Sequence, residues 1–278
     1  MAAPRDKRRD ERGELGDLRR RRCSVEGPMD EFRLSGELCR IVEGADSVDD
    51  LRLAMSAVAT KLGFQYYALS HHVDIARAGS EAIRLHNYPA RWADYYDSRS
   101  LGVSDPVHRA SHVTSVGFAW SNMPAMIPLT PNDRKILALG REQGIGDGFT
   151  IPANVPGEAR GSCSFANQAG RPMRAELLPF AQLAGAFAFE AARKLVTPRG
   201  LFAAHSAPAL TDRQRDCVMW VARGKTDWEI GRILGLTEET VRRHIKLARE
   251  RLGVSKRTLL AIRALFDGSL TFTDVLKS

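Results

Sequence analysis

Apolar side chains recur with helical spacing in the first patterned stretch of the chain. Between Ser47 and Leu62 they stand at positions i, i+4, i+7 and i+11, which predicts an amphipathic helix, and Ser47 is a favourable N-cap for it. Another helix is predicted just before, from Asp30 to about Ala45. The apolar stripe of the later helix consists of Leu51, Met55, Val58 and Leu62.

Short strand-like runs come next, and several are neighbours in the sequence. A doubly wound sheet would need a helix after every strand, so this order favours antiparallel pairing. We therefore predict an α+β fold whose N-terminal domain is an α/β/α sandwich with a central antiparallel sheet. The predicted strands lie near residues 64–73, 82–88, 148–155 and 161–167, with helices near 90–99, 106–111 and 132–143.

A long helix is predicted from Ala175 to Leu195, with a wide apolar face rich in alanine. Such a face must be buried. It can pack on the sheet of its own domain or form the interface of a homodimer, and the pattern leaves both open.

The remaining segments divide the chain. Residues 1–28 are rich in arginine and lack hydrophobic periodicity, which predicts a disordered basic tail. Residues 29–196 form the predicted N-terminal domain, and the Pro- and Gly-containing residues 197–208 form a linker. Residues 209–278 form a predicted all-α domain.

The all-α domain begins with two S/T-x-x-E/Q capping boxes, at Thr211 and Thr226, and each opens a short helix. A third helix is capped by Thr237 and runs to about Leu252. Helix, short turn and helix in this order predict a helix-turn-helix module, whose second helix can lie in the DNA major groove.

Charge supports a polyanion as the partner of this module. Of the net charge of +8, residues 205–278 carry an excess of five, with 14 basic and 9 acidic side chains, whereas residues 29–204 are neutral. The third helix has an apolar face and a cationic face; the alternative for the cationic face is simple solvation. Lys225, beside a helix N-terminus, is predicted to contact a phosphate. The predicted DNA-binding residues are Lys225, Thr240, Arg242, Arg243 and Lys246.

These motifs resemble the DNA-binding domain of LuxR-type transcription regulators. The resemblance rests on Trp220-Val-Ala-Arg-Gly-Lys-Thr, on Glu229-Ile-Gly-Arg-Ile-Leu-Gly-Leu-Thr and on Thr240-Val-Arg-Arg-His. Gln214 stands where that family usually has glutamate. Glutamine can close the same capping box, so we expect the fold to be unchanged.

The N-terminal part resembles the acyl-homoserine-lactone-binding domain of the same regulators, so the resemblance covers about residues 30–278. A phospho-receiver domain, the alternative for such DNA-binding domains, would begin with an apolar strand ending in paired acids, and this chain does not. The motifs that carry the resemblance are Asn87-Tyr-Pro-Ala-Arg-Trp92, Tyr96, Asp105-Pro-Val, Phe118-Ala-Trp120 and Gly148-Phe-Thr-Ile-Pro152.

An acyl-homoserine lactone offers one amide N–H, two carbonyls and an apolar chain, so its site needs one acceptor and two or three donors. Asp105 is the predicted acceptor. The resemblance implies that Trp92 donates to the lactone carbonyl and Tyr88, with Ser164, to the acyl carbonyl. It also implies that Tyr96 and Trp120 pack on the ligand and that Gly148 serves backbone geometry.

Each of these residues also has a purely structural interpretation. The aromatic residues can be ordinary core, and Asp105 before Pro106 can be a helix N-cap. Ser162 lies two residues from Ser164 on the same strand face and is an alternative to it.

Enzymatic functions lack their usual signatures here. His71-His72-Val-Asp74 contains only part of a metallo-lactonase motif, and no G-x-S-x-G elbow is present. The four cysteines show no C-x-x-C spacing. We predict no catalytic residues, no metal and no cofactor.

We therefore expect a regulator that senses an acyl-homoserine lactone in quorum sensing and binds a palindromic promoter site as a homodimer, with RNA polymerase as a further partner. The absence of an apolar segment of 18 residues and of a secretion signal predicts a cytoplasmic protein without a membrane partner. The alternative is the same architecture responding to another small molecule or to none.

Overall fold

The computed structural model describes residues 28–74, 82–156, 158–196 and 209–276. The predicted tail, except for its last residue, and the predicted linker, residues 197–208, lie outside these ranges.

The N-terminal part places helices on both sides of a five-stranded sheet. Its helices are α1 (Pro28–Glu43), α2 (Val48–Lys61), α3 (Ala90–Ser98), α4 (Pro106–Ser111), α5 (Met123–Met126), α6 (Pro131–Glu142) and α7 (Leu178–Val196). Its strands are β1 (Tyr66–His71), β2 (Arg84–His86), β3 (Phe118–Ala119), β4 (Gly148–Ala153) and β5 (Gly161–Ala166).

The strands are ordered β2-β1-β5-β4-β3, and every neighbouring pair is antiparallel. The predicted antiparallel α+β architecture is confirmed. Strand β3 was not predicted, because two residues are too few to show an alternating pattern.

The two faces of the sheet differ in chemistry. One face is apolar and packs on α1, α2 and α7, with Leu69, Cys163 and Phe165 fully buried in the largest core cluster. On the other face, the register aligns Ala68 with Ser164 and Ser164 with Thr150. The sheet thus separates an apolar core from a more polar layer.

Helix α7 buries its alanine stripe inside its own domain. Ala181, Ala184, Ala188 and Ala192 have no exposed surface and belong to the same core. Of the two interpretations of this stripe, packing on the sheet of its own domain is the one that the structure shows.

The C-terminal part is a separate helical unit with its own core. Thr211 accepts a hydrogen bond from the backbone N–H of Gln214, and the Gln214 side chain accepts one from the Thr211 N–H in return, so glutamine closes the capping box. Gly235 has φ 66° and ends the second helix in the left-handed conformation that glycine favours. The helices are α8 (Asp212–Ala222), α9 (Asp227–Leu234), α10 (Glu238–Arg251), α11 (Arg257–Phe266) and α12 (Phe272–Leu276).

The sequence patterns had not predicted α11 and α12. Leu260 and Ala264 of α11 are buried against Val218 of α8 and Ile245 of α10, so α11 completes the small core. Among the helices that the structure describes, we find none with the length and apolar character needed to cross a membrane.

Candidate ligand-binding and DNA-binding sites

A cavity of about 660 Å³ lies between the polar face of the sheet and the layer formed by α3, α4 and α6. This volume is within the usual range for small-molecule sites. All six residues predicted to bind the ligand line it: Tyr88, Trp92, Tyr96, Asp105, Trp120 and Ser164. Their contacts with a ligand remain predictions.

Helix α3 brings two aromatic rings into the cavity. Trp92 and Tyr96 are one turn apart, so they share a helix face, and both are buried in an edge-to-face pair with centroids 5.7 Å apart. Tyr88 enters just before the helix, and burial raises the pKa of its phenol. Its hydroxyl therefore stays protonated and able to donate.

Asp105 combines a structural role with a place in the cavity. Its Oδ1 accepts the backbone N–H of Val107 at 2.7 Å, so the residue caps α4, while its Oδ2 accepts the Tyr96 hydroxyl at 2.5 Å. A carboxylate can accept further hydrogen bonds at both oxygens. The N-cap interpretation is therefore correct and is compatible with ligand binding.

The resemblance implies that Tyr96 packs on the ligand, and in the structure its hydroxyl also donates a hydrogen bond to Asp105. Burial, with the nearby Asp105 carboxylate as a second cause, raises its pKa well above the ordinary value. A protonated Tyr96 hydroxyl fixes the Asp105 side chain in the cavity.

A chain of hydrogen bonds crosses the floor of the cavity. The indole N–H of Trp120 donates to Thr150 Oγ1 at 2.8 Å, and the Thr150 and Ser164 hydroxyls are 2.8 Å apart. Thr150, which is fully buried, was not among the predicted residues. Its signal was the alternation along β4, which places Thr150 and Pro152 on the same face.

The structure separates Ser164 from its alternative, Ser162. Ser164 lines the cavity, whereas the Ser162 hydroxyl lies 2.9 Å from Nε2 of His72 and is used there. Gly148 has the geometric role that was expected. A Cβ at this position would come within 2.7 Å of the Trp120 ring, so a side chain there would push the indole off the floor.

One end of the cavity is lined by polar residues that the sequence patterns did not single out: Ser70, Arg84 and His108. Arg84 is paired with Asp97 at 2.8 Å, and its guanidinium lies over the Tyr96 ring at 5.2 Å. Ser70 follows Ala68 at the two-residue spacing of β1, which was the available signal.

Three histidines pack behind this polar end. The His72 ring stacks on His108 with centroids 3.8 Å apart, and its Nδ1 is 2.8 Å from Nε2 of His112. Burial first, and the neighbouring imidazoles second, hold the pKa of His72 well below its ordinary value. In the part of the chain that the structure describes, we find no group of three or more ligating side chains arranged to hold a metal ion.

Helix α10 has the two faces expected of a recognition helix. Val241, Ile245 and Ala248 are buried in the core of the unit, while Arg243 and Lys246 are exposed on another side. A recognition helix of this kind presents its cationic side to the major groove.

The other predicted DNA-binding residues have local partners. Arg242 is exposed and pairs with Glu238 and Glu239 at 2.7 and 3.0 Å. Lys225 Nζ is 3.2 Å from Glu229. Both are exposed or half-exposed pairs of the kind that contributes little stability, so a phosphate can replace the carboxylate at small cost.

Thr240 lies in the first turn of α10, with its hydroxyl 2.8 Å from that of the N-cap residue Thr237. It is half-buried. The structure therefore groups Thr240, Arg242, Arg243 and Lys246 on one helix, and their contacts with DNA remain predictions.

Comparison with protein families gives two matches, one for each part of the chain. Residues 47–192 match the autoinducer binding domain, and residues 208–264 match the bacterial regulatory proteins of the luxR family. The first match alone covers more than half of the chain.

Curated relatives match along most of their length. The HTH-type transcriptional regulator y4qH of Sinorhizobium fredii is 31% identical over 240 residues, which cover 84% of this chain and 72% of the relative. The quorum sensing-dependent regulator RpaR of Rhodopseudomonas palustris is 29% identical, covering 82% and 94%. The activator LuxR of Aliivibrio fischeri is 24% identical, covering 82% and 91%.

Among solved structures, SdiA in complex with octanoyl-rac-glycerol has a TM-score of 0.60 at 21% identity, covering 87% of this chain and 97% of SdiA. At this identity the likeness concerns the fold alone. The matched relatives are transcriptional regulators rather than enzymes.

Proposed function

Because the chain belongs to the luxR family of autoinducer-binding transcription regulators, we propose that its autoinducer is an acyl-homoserine lactone and that it binds a palindromic promoter site as a homodimer. The ligand acts by stabilising the folded sensor domain, which is the N-terminal domain of residues 29–196. RNA polymerase is the further partner expected at the promoter.

The observation that carries this proposal is the set of hydrogen-bonding groups around one cavity. An acyl-homoserine lactone needs an acceptor for its amide N–H and donors for two carbonyls, because buried polar groups are paired. Asp105 supplies the acceptor, and Trp92, Tyr88 and Ser164 supply donors, all lining the same cavity. No charged ligand group is needed to satisfy them.

The resemblance orients the ligand in this cavity. The lactone carbonyl accepts the Trp92 indole N–H, the amide donates to Asp105, and the acyl carbonyl accepts the Tyr88 hydroxyl. Trp120 covers the floor beside Ser164. Trp92 belongs to the apolar cluster that includes Ile145, so the lactone ring is buried at that end.

Two exposed features support DNA binding as a dimer. Arg243 and Lys246 stand free of core packing on α10. On α11, Leu259, Ile262 and Phe266 are exposed at i, i+3 and i+7, an apolar stripe of the kind that a second copy can cover. A two-fold dimer would read two half-sites about one helical turn apart.

Thermal unfolding of the purified full-length protein tests the ligand. A ligand at 100 times its Kd stabilises the native state by about 2.7 kcal/mol, which for a domain of this size is a rise of roughly 5–10 °C. We expect this rise for some acyl-homoserine lactones and a much smaller one in the Asp105→Asn variant.

The control ligand is the free fatty acid with the same acyl chain, which has a carboxylate in place of the lactone amide. A rise with other small molecules, and none with any lactone, would leave the family assignment intact and transfer the proposal to another ligand class. A second experiment tests the proposed DNA binding as a homodimer. Dimer and monomer are separated by size, and the binding of each to promoter DNA with inverted half-sites is measured.

A further inference from the structure

The polar end of the cavity contains two side chains that the lactone and amide do not use. Ser70 on β1 is 5% exposed and His108 on α4 is 8% exposed, and both line the cavity. Buried polar groups beside a ligand site need a hydrogen-bonding partner. The ligand is therefore expected to have a polar group that can form hydrogen bonds with these two side chains.

The register of the sheet places this pair beyond the acyl carbonyl. Ser164 is paired with Ala68, and Ser70 lies two residues further along β1, in the row that contains Ser162. Two residues of an extended strand span about 7 Å. His108 follows Asp105 by one turn of α4, on the same side of the helix.

The pair has unused hydrogen-bonding capacity. His108 Nδ1 lies 2.8 Å from the carbonyl oxygen of Gly102, which can only accept, so we assign the tautomer in which Nδ1 donates and Nε2 is the acceptor. Nε2 is 3.5 Å from the Ser70 hydroxyl, at the long limit for a hydrogen bond. A ligand hydroxyl between them would donate to Nε2 and accept from Ser70.

Charge in this region favours a neutral group over an anion. Arg84 is the cation nearest to Ser70 in the sheet register, and both its Nε and its Nη2 are taken by Asp97. The Asp105 carboxylate, one helical turn before His108, also lines the cavity and would repel an acid. A carboxylate at the end of the acyl chain would therefore lack a free cation here.

We propose that the acyl group of the ligand carries a hydroxyl about 7 Å beyond its carbonyl, and that Ser70 and His108 bind this hydroxyl. The proposal rests on the proposed function, because it uses the lactone orientation given above. The hydroxyl belongs either to an aliphatic chain or to an aromatic ring. Ser70 and His108 are then residues that determine ligand specificity.

Matched ligand pairs test this in the full-length protein, with calorimetric Kd as the readout. The aliphatic pair is N-(6-hydroxyhexanoyl)- and N-hexanoyl-homoserine lactone. The aromatic pair is N-[3-(4-hydroxyphenyl)propanoyl]- and N-(3-phenylpropanoyl)-homoserine lactone. In one of the pairs we expect the hydroxyl compound to bind about tenfold more tightly, the larger effect of a hydrogen bond in a site built for it.

Three variants locate the hydroxyl. Ser70→Ala removes one partner, and His108→Asn removes Nε2 while keeping a donor near the Gly102 carbonyl. Each should reduce the tenfold preference to about threefold or less. Ser162→Ala is the matched control, because it also removes a buried serine hydroxyl from the same row of the sheet. That hydroxyl already forms a hydrogen bond with His72, so this variant should leave the preference for the hydroxyl compound unchanged.

Each outcome has one meaning. Equal or weaker binding of both hydroxyl compounds, with a lactone still bound, overturns the proposal and leaves the proposed function standing. A hydroxyl preference that persists in Ser70→Ala and His108→Asn also overturns it, because the hydroxyl is then bound elsewhere. Binding of none of the four lactones overturns both proposals.

Discussion

Replacing Thr150 with valine should destabilise the sensor domain although the two side chains have nearly the same shape. Thr150 is fully buried, and its hydroxyl is 2.8 Å from both Trp120 Nε1 and Ser164 Oγ. Valine leaves both partners without this hydrogen bond. We expect the destabilisation to arise from those partners rather than from any change in packing.

The magnitude follows from their burial. An unpaired buried polar group costs about 1–3 kcal/mol. Ser164 is buried, whereas Trp120 is half-buried and can reach water in part, so the total for Thr150→Val should be about 2–3 kcal/mol. For a domain of this size, that lowers the melting temperature by roughly 4–12 °C.

Differential scanning calorimetry of the full-length protein measures this change without ligand. Thr150→Ser is the matched control, because it keeps the hydroxyl and loses only a methyl group, at about 1 kcal/mol. In a Ser164→Ala background the cost of Thr150→Val should fall, since one of the two stranded partners is gone. A Thr150→Val protein as stable as wild type, or an undiminished cost in the Ser164→Ala background, would refute the reasoning.

Three further changes test other parts of the structure. Arg243→Ala should abolish specific DNA binding in a gel-shift assay, while ligand should still raise the melting temperature. Loss of both would contradict the assignment of DNA binding and ligand binding to separate domains. The pKa of His112 is lowered from 6.5 to about 4 by burial, and that of His72 is also well below 6.5, so the folded state resists protonation and stability should fall as pH drops from about 6.5 toward 4. Each histidine contributes at most about 1.4 kcal/mol per pH unit, and His112→Gln should flatten the melting profile between pH 7 and 5; an unchanged slope would speak against it. Glu158→Gln should cost about 2 kcal/mol in urea unfolding, because it weakens the two charge-assisted hydrogen bonds of the largely buried Arg193 and leaves that guanidinium only the half-exposed Glu190 as a carboxylate partner; a neutral effect would show that solvent already screens the pair.

The helix-turn-helix was predictable because its signals are local. A capping box needs only residues three positions apart, so the sequence alone predicts where these helices begin. The two boxes are formed by Thr211 with Gln214 and by Thr226 with Glu229. The apolar spacing of α10 likewise marks its buried side. By contrast, α11 begins at Arg257 after Lys256, an N-cap position without a side-chain hydrogen bond, and such a start has no signature to read.

The ligand cavity was predictable only in part, because its floor depends on strand register. Thr150 and Ser164 belong to different strands, 14 residues apart, and meet because β4 and β5 pair in one particular alignment. A shift of one residue between the strands would turn one of these two side chains to the opposite face. The same holds for Ser70 and His108, which come from a strand and a helix 38 residues apart.

The contrast between the two faces of the sheet predicts which part of the domain the proposed ligand stabilises. The apolar face is complete without it, since Leu69 and Phe165 are already buried under α7. On the other face, α3 and α4 meet the sheet across a cavity of about 660 Å³ whose floor is polar.

In the proposed complex the ligand adds contacts between this outer layer and the sheet, so we expect it to stabilise the outer layer more than the apolar core. Because the Tyr96 hydroxyl links α3 to the Asp105 cap of α4, a lactone amide on Asp105 acts on both helices at once. We expect ligand binding to shift the population toward a state in which both helices are held more firmly against the sheet. We therefore expect the signal to reach the rest of the protein through α3 and α4, because the core under α7 is already complete without a ligand.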